Sequence, residues 1–132
     1  MIGGVVLDAT ALADLAENRT PYAGEVVDYA ISTLRTIAIP TTVLMECLAR
    51  VPEHSQVFLA TFIARPVVTV HALDEATAID VGELAAAADA PDTPAGTMHA
   101  VHLARGRGWP ILTAEPDVAR QLDADVRIEP LP

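Results

Sequence analysis

Val5-Val6-Leu7-Asp8-Ala9-Thr10-Ala11-Leu12 decides the fold. Three successive apolar residues with no polar alternation read as a short strand buried on both faces, and Asp8 closes it. Leu12, Leu15 and Ala16 then recur at helical spacing, so the strand passes directly into a helix. A strand covered on both faces belongs to a parallel sheet, whose crossovers lay helices on either side.

The rest of the chain repeats that unit. Thr20-Pro21 reads as an N-cap with a first-turn proline, ahead of a helix carrying Val27, Ala30, Ile31 and Leu34. Thr36-Ile37-Ala38-Ile39 is a second strand, and Thr41 or Thr42 caps a helix with Val43, Leu44, Cys47, Leu48 and Val51, stopped by Pro52. Phe58, Leu59, Phe62 and Ile63 share a helical stripe, and Val67-Val68-Thr69-Val70 is a third strand. Asp74 caps a helix reaching the alanines 85 to 88, the turn Asp89 to Pro94 leads to a helix over 93–105, and Gly106 and Gly108 stop it. Trp109 to Thr113 is the fourth strand, Pro116 to Leu122 a short helix and Val126-Arg127-Ile128 an edge strand. The expectation is an α/β fold with three α/β/α layers and a short, mainly parallel sheet of four or five strands. A length of 132 residues suits one domain spanning the whole chain.

Composition bounds the function. Apolar residues make up 52% and aromatic residues 4%, so the core is aliphatic. A net charge of −10, from 18 acids against 8 Lys plus Arg, opposes broad capture of a phosphate backbone, and any nucleic-acid contact must be local or metal-mediated. Cys47 is the single cysteine and reads as a packed thiol in a reducing compartment. The opening Met1 to Asp8 lacks a secretory leader's basic and apolar regions, and no segment approaches ~20 uninterrupted apolar residues; a cytoplasmic protein with no membrane association is expected.

In parallel sheets, function gathers at the carboxyl ends of the strands. That singles out Asp8 after the first strand and Glu115 after the fourth, although an acid in such a place also caps the following helix. Glu46 lies roughly 130° from the centre of its helix's apolar stripe, where a solvated residue would lie. His99 and His102 are three apart on a helix, without further His or Cys at ligand spacing. Arg105-Gly106-Arg107-Gly108 could touch RNA, but cations there also complement the helix dipole. Ser32 and Ser55 have no nucleophile setting, and no Gly-rich phosphate loop follows a strand.

Leu7-Asp8-Ala9-Thr10-Ala11-Leu12, Val43-Leu44-Met45-Glu46-Cys47-Leu48 and Gly108-Trp109-Pro110-Ile111-Leu112-Thr113-Ala114-Glu115, in that order and at these separations, resemble a PIN domain over nearly the whole chain. The family implied is that of the VapC-type toxin ribonucleases, which gather an early Asp, a helical Glu and late acids around Mg²⁺ or Mn²⁺. By that resemblance Asp8, Glu46 and Glu115 are catalytic and metal-binding acids, Asp92 and Asp117 are further metal-binding candidates, and Thr10 and Thr113 orient carboxylates or water. The site is altered from the family pattern: Glu115 stands where Asp is usual. The acid expected about sixteen residues before Thr113 is replaced by Gly96 or Thr97, with Asp92 the nearest upstream carboxylate or else the N-cap of its helix. Fewer carboxylates hold a divalent ion less well. Two functions follow: a metal-dependent ribonuclease, the toxin of a toxin–antitoxin pair, or a catalytically impaired PIN-like binding or regulatory protein. The resemblance also implies an RNA substrate, an antitoxin partner and a homodimer.

Overall fold

The computed structural model describes residues 3–132. Met1 and Ile2, the start of the opening segment read for a leader, lie outside the described residues. The elements run β1 (Gly4–Leu7), α1 (Ala9–Glu17), α2 (Tyr22–Ser32), β2 (Thr36–Pro40), α3 (Thr41–Arg50), α4 (Glu53–Ile63), β3 (Val68–His71), α5 (Glu75–Ala87), α6 (Ala95–Arg107), β4 (Ile111–Thr113), α7 (Pro116–Leu122) and β5 (Ile128–Pro130). One five-stranded sheet has the order β3-β2-β1-β4-β5, with every pairing parallel. The three-layer α/β/α architecture is the expected one. No helix among the described residues is long and apolar enough to cross a membrane.

The strand order explains the apolar runs. β1 is central, flanked by β2 and β4, and Val5, Val6, Leu7, Ile37, Ile39, Ile111 and Leu112 are all buried. The chain winds from β1 outward through β2 to β3, then returns to the other side of β1 for β4 and β5. The strand order therefore reverses between β1 and β4, where a crevice opens at the carboxyl edge of such sheets. Asp8 and Thr113 both lie there, in register through Leu7 and Leu112.

Thr20 bears out its reading: ahead of Pro21, whose backbone is already helical, its Oγ1 accepts from Tyr22 N–H at 3.3 Å, and the same hydroxyl donates to Asp14 at 2.9 Å. Several other local expectations are corrected. Neither Thr41 nor Thr42 caps α3: Thr41 Oγ1 accepts from Leu73 N–H and Thr42 Oγ1 faces His99. Leu34 does not continue the stripe of α2. It takes the left-handed conformation of a C-terminal cap, at φ 56°, while Arg35 N–H reaches Ala30 O at 2.8 Å and Leu34 N–H reaches Ile31 O. This closes the helix with a leucine where glycine is usual, and leaves that leucine 73% exposed. Helix α6 starts at Ala95 after Pro94, so Asp92 is not its cap, and Gly106 lies inside it; Gly108 ends it at φ 68°. The last strand begins later than expected because Val126 is first folded back by its N–H bond to Asp123 O and buried.

Gly4 has a packing reason. A Cβ at this position would come within 2.6 Å of the Trp109 ring, which lies against the strand. Gly4→Ala is expected to lower stability by about 1–3 kcal/mol through overpacking. Leu34→Gly should raise it by up to about 1 kcal/mol by removing the left-handed penalty of a leucine. Urea unfolding of both variants checks the pair, and equal midpoints would contradict both assignments.

Candidate active site

Asp8 is the N-cap of α1 and only 4% exposed. Its Oδ1 accepts from the Thr10 hydroxyl at 2.6 Å and from Ala11 N–H at 3.0 Å. Both readings of this residue therefore hold together: it caps a helix and it stands at the sheet's carboxyl edge. Burial pushes its carboxyl above the ordinary value, and the hydroxyls of Thr10 and Thr113 with the Ala11 and Thr10 N–H groups partly offset this.

Thr10 also joins two segments. Its oxygen accepts from Ala114 N–H at 2.9 Å while its proton goes to Asp8. Thr113 is fully buried, and its Oγ1 accepts from Glu115 N–H at 2.9 Å. Thr10 and Thr113 thus fix the backbone around the two strand ends, as orienting groups would. Glu115 is exposed at the start of α7 and makes no capping bond. It lines a cleft of about 380 Å³ together with Thr10, Asp14, Arg19, Cys47 and Arg50.

Glu46 is half-buried rather than solvated, and its Oε1 accepts a hydrogen bond from Gly96 N–H. Helix α3 packs on both α1 and α6, so it has more than one buried face, and the residue off the main stripe meets the first turn of α6. That helix has no side-chain cap of its own, and Glu46 supplies a carboxylate to one of its unsatisfied N–H groups. A Cβ on Gly96 would collide with the Glu46 carboxylate and press on Val43 Cγ2 at 3.1 Å. Gly96 is one of the two residues at the place where the resemblance led to the expectation of an acid.

The remaining candidates are dispersed. Asp92 is exposed in the turn before α6 and lines a separate cavity with Val118 and Gln121. Asp117 is exposed on α7, 3.9 Å from Arg120. The acids Asp8, Glu46 and Glu115 offer hard oxygen donors of the kind Mg²⁺ and Mn²⁺ take. Among the described residues, however, no three His, Cys, Asp or Glu side chains converge on one point, so an ion there would draw on fewer than three of these side chains.

Sequence reasoning missed Asp14, Arg19 and Arg50. Asp14 is 5% exposed, its carboxylate held by Thr20, and Arg19 pairs with Glu17 at the rim. Helix α1 packs against α2, α3, α4 and the sheet, burying Ala11 to Asp14 in succession, so a one-stripe reading could not find a buried acid there. Cys47 is 1% exposed and burial, then the Glu17 charge, pushes its thiol up to about 11, so it is packed and not nucleophilic. His99 is a core residue whose Nδ1 meets Thr42 Oγ1 at 2.9 Å.

No family model matches the sequence, and no curated protein matches it. Among solved structures, the chain is similar to one in VapBC2 from Rickettsia felis bound to a DNA fragment from their promoter. The TM-score is 0.74 at 14% identity, over 96% of this chain and 98% of that one. It is similar also to a chain of DNA-bound VapBC from Salmonella typhimurium, with a TM-score of 0.74 at 21% identity, over 98% of each chain. At these identities the likeness establishes the fold.

Two outcomes follow from the geometry. A carboxyl raised in the native state stabilises the protein while protonated, fully so below its unfolded value near 3.8, and that contribution is lost as pH rises through the native value. Asp8→Asn keeps an oxygen acceptor for Thr10 and Ala11, so it should raise the unfolding midpoint at pH 7 and flatten the stability profile above pH 4, measured by thermal melts across pH. Glu46→Ala should cost about 0.5–2 kcal/mol, as loss of a helix cap does, while Glu46→Gln should retain most of it. Urea unfolding in the presence of a chelator separates these two, and equal losses would show that the acceptor oxygen is not what matters.

Proposed function

We propose that this protein is a PIN-type ribonuclease of the toxin–antitoxin kind, acting on RNA at the edge where β1 and β4 end. The observation that carries the reading is the buried Asp8 at the reversal of strand order, oriented by Thr10 and backed by Thr113, with Glu115 at the exit of the adjoining strand. A buried carboxylate at a strand's carboxyl end, held by a hydroxyl that is itself held from the next strand, is more organised than capping requires. The fold shared with chains of VapBC complexes supports the same reading. The reaction proposed is phosphodiester hydrolysis, with Asp8, Glu46 and Glu115 as its principal acids and Asp92 and Asp117 as outlying ones. Mg²⁺ or Mn²⁺ is the proposed cofactor, an antitoxin protein the proposed partner, and a cytoplasmic homodimer the proposed form.

A second reading has its own observation. Glu46 is engaged by Gly96 N–H, and no three candidate ligands among the described residues converge. This favours a PIN-like protein with impaired cleavage that works by binding.

Titration calorimetry with Mn²⁺ and Mg²⁺, run on the wild type and Asp8→Ala beside cleavage of a mixed RNA panel, decides between them. The ribonuclease reading expects both metal binding and cleavage in the wild type and their loss in Asp8→Ala. A folded wild type with neither would overturn it and leave the binding protein.

A further inference from the structure

A second cavity, sharing no residue with the cleft at Glu115, is lined by His71 at the end of β3, Thr77 on α5, and His99, His102 and Arg107 on α6. Its volume is about 300 Å³. Its lining contains no carboxylate, whereas the cleft at Glu115 and the cavity at Asp92 each carry two. On a chain of net charge −10, three imidazoles and a guanidinium have been gathered around one hollow.

The groups facing the hollow can be followed element by element. On α6, His99 has its Nδ1 on Thr42 and is fixed in the core, while His102 makes no side-chain hydrogen bond among the described residues. On β3, the Nε2 of His71 meets Thr69 Oγ1 at 3.0 Å, which leaves Nδ1. On α5, Thr77 lines the wall, and the nearby Asp74 carboxylate accepts the Thr77 N–H as the exposed helix cap. Of the two arginines in the last turn of α6, Arg105 lies 3.9 Å from Asp123, whereas Arg107 stacks over Trp109 and reaches the cavity. The cation–dipole reading of these arginines therefore accounts for their place on the helix but not for their different partners.

We propose that this cavity binds a phosphate group, held by the Arg107 guanidinium together with the imidazoles of His71 and His102. A guanidinium presents a planar fork of N–H donors matched to phosphate oxygens, and two imidazoles add donors from other directions. The hollow has room for a phosphate and part of its carrier.

The electrostatics of the cavity agree with this assignment. Burial, then the neighbouring His102 and His71, lowers His99 to about 4, and burial followed by Arg107 lowers His71. Positive charge on one of these groups disfavours it on its neighbours, and an anion among them offsets that repulsion. An anion bound there favours the protonated form of His71, so binding of a phosphodiester, whose own charge is constant in this range, tightens as pH falls from 8 to 6.

The phosphate could be free or part of an RNA backbone, and one experiment separates the sources. The imidazole resonances of ¹⁵N-labelled protein are followed by NMR while inorganic phosphate, and separately the dinucleotide UpU, is added at pH 6 and pH 8. The expected result is movement of the His71 and His102 resonances, with UpU binding tighter at pH 6. Affinity should fall about tenfold in Arg107→Ala, as loss of a charge-assisted hydrogen bond implies. Movement with UpU assigns a backbone phosphate, and movement with inorganic phosphate alone assigns a free one. The double variant His71→Gln, His102→Gln should weaken binding of both probes and remove the pH dependence seen with UpU. Unmoved imidazoles with both probes, or full affinity in an Arg107→Ala protein with a native amide spectrum, would overturn the site. Neither result depends on whether the protein cleaves RNA.

Discussion

A single hydroxyl organises the candidate site. Thr10 donates to Asp8 and accepts from Ala114, so one oxygen ties the exit of β1 to the exit of β4. Those strands are neighbours only because the chain reverses direction across β1, and their exits diverge into helices packed in different parts of the molecule. Without a link the two backbones would be free to part at the place where Asp8, Thr113 and Glu115 must keep their spacing. The buried carboxylate is the cost of the arrangement: it carries a desolvation penalty that the surrounding hydroxyls and N–H groups offset only in part.

Most of the fold was legible because two-sided burial leaves an unambiguous trace. Val5-Val6-Leu7 and Ile37-Ala38-Ile39 have no polar alternation, and only a covered parallel sheet accommodates them. Helix ends were less legible. Thr41 and Thr42 each have capping chemistry, but each hydroxyl found a partner outside its helix: Leu73 N–H and His99. Capping preference is a local rule worth about a kilocalorie, and a tertiary hydrogen bond of similar strength displaces it. Leu34 failed for a related reason, since the need to enter β2 overrode an apolar residue's place on the stripe.

The placement of Asp8, Thr10 and Thr113 was legible, since it follows from strand ends and short separations. That of Glu46 was not. Helical angle alone placed that residue outward, but α3 is clamped between α1 and α6, and a helix touching two others has no single inward direction. The same limitation hid Asp14 inside α1. Charged side chains in crowded helices are the ones for which sequence periodicity carries least information, because their orientation depends on which neighbour offers a partner.

The contact between Glu46 and Gly96 also constrains how such a protein can change over generations. An acid at position 96 and a glutamate seated as Glu46 is seated would occupy overlapping space, so the two positions do not vary independently. A path between this arrangement and one with an acid at 96 requires movement of Glu46 or a second substitution, and an intermediate that loses the cap before gaining anything in exchange. The fitness effect of a change at either position thus depends on what stands at the other. Columns of a sequence alignment read one at a time would register two unrelated changes; read as a pair, they would register a single exchange.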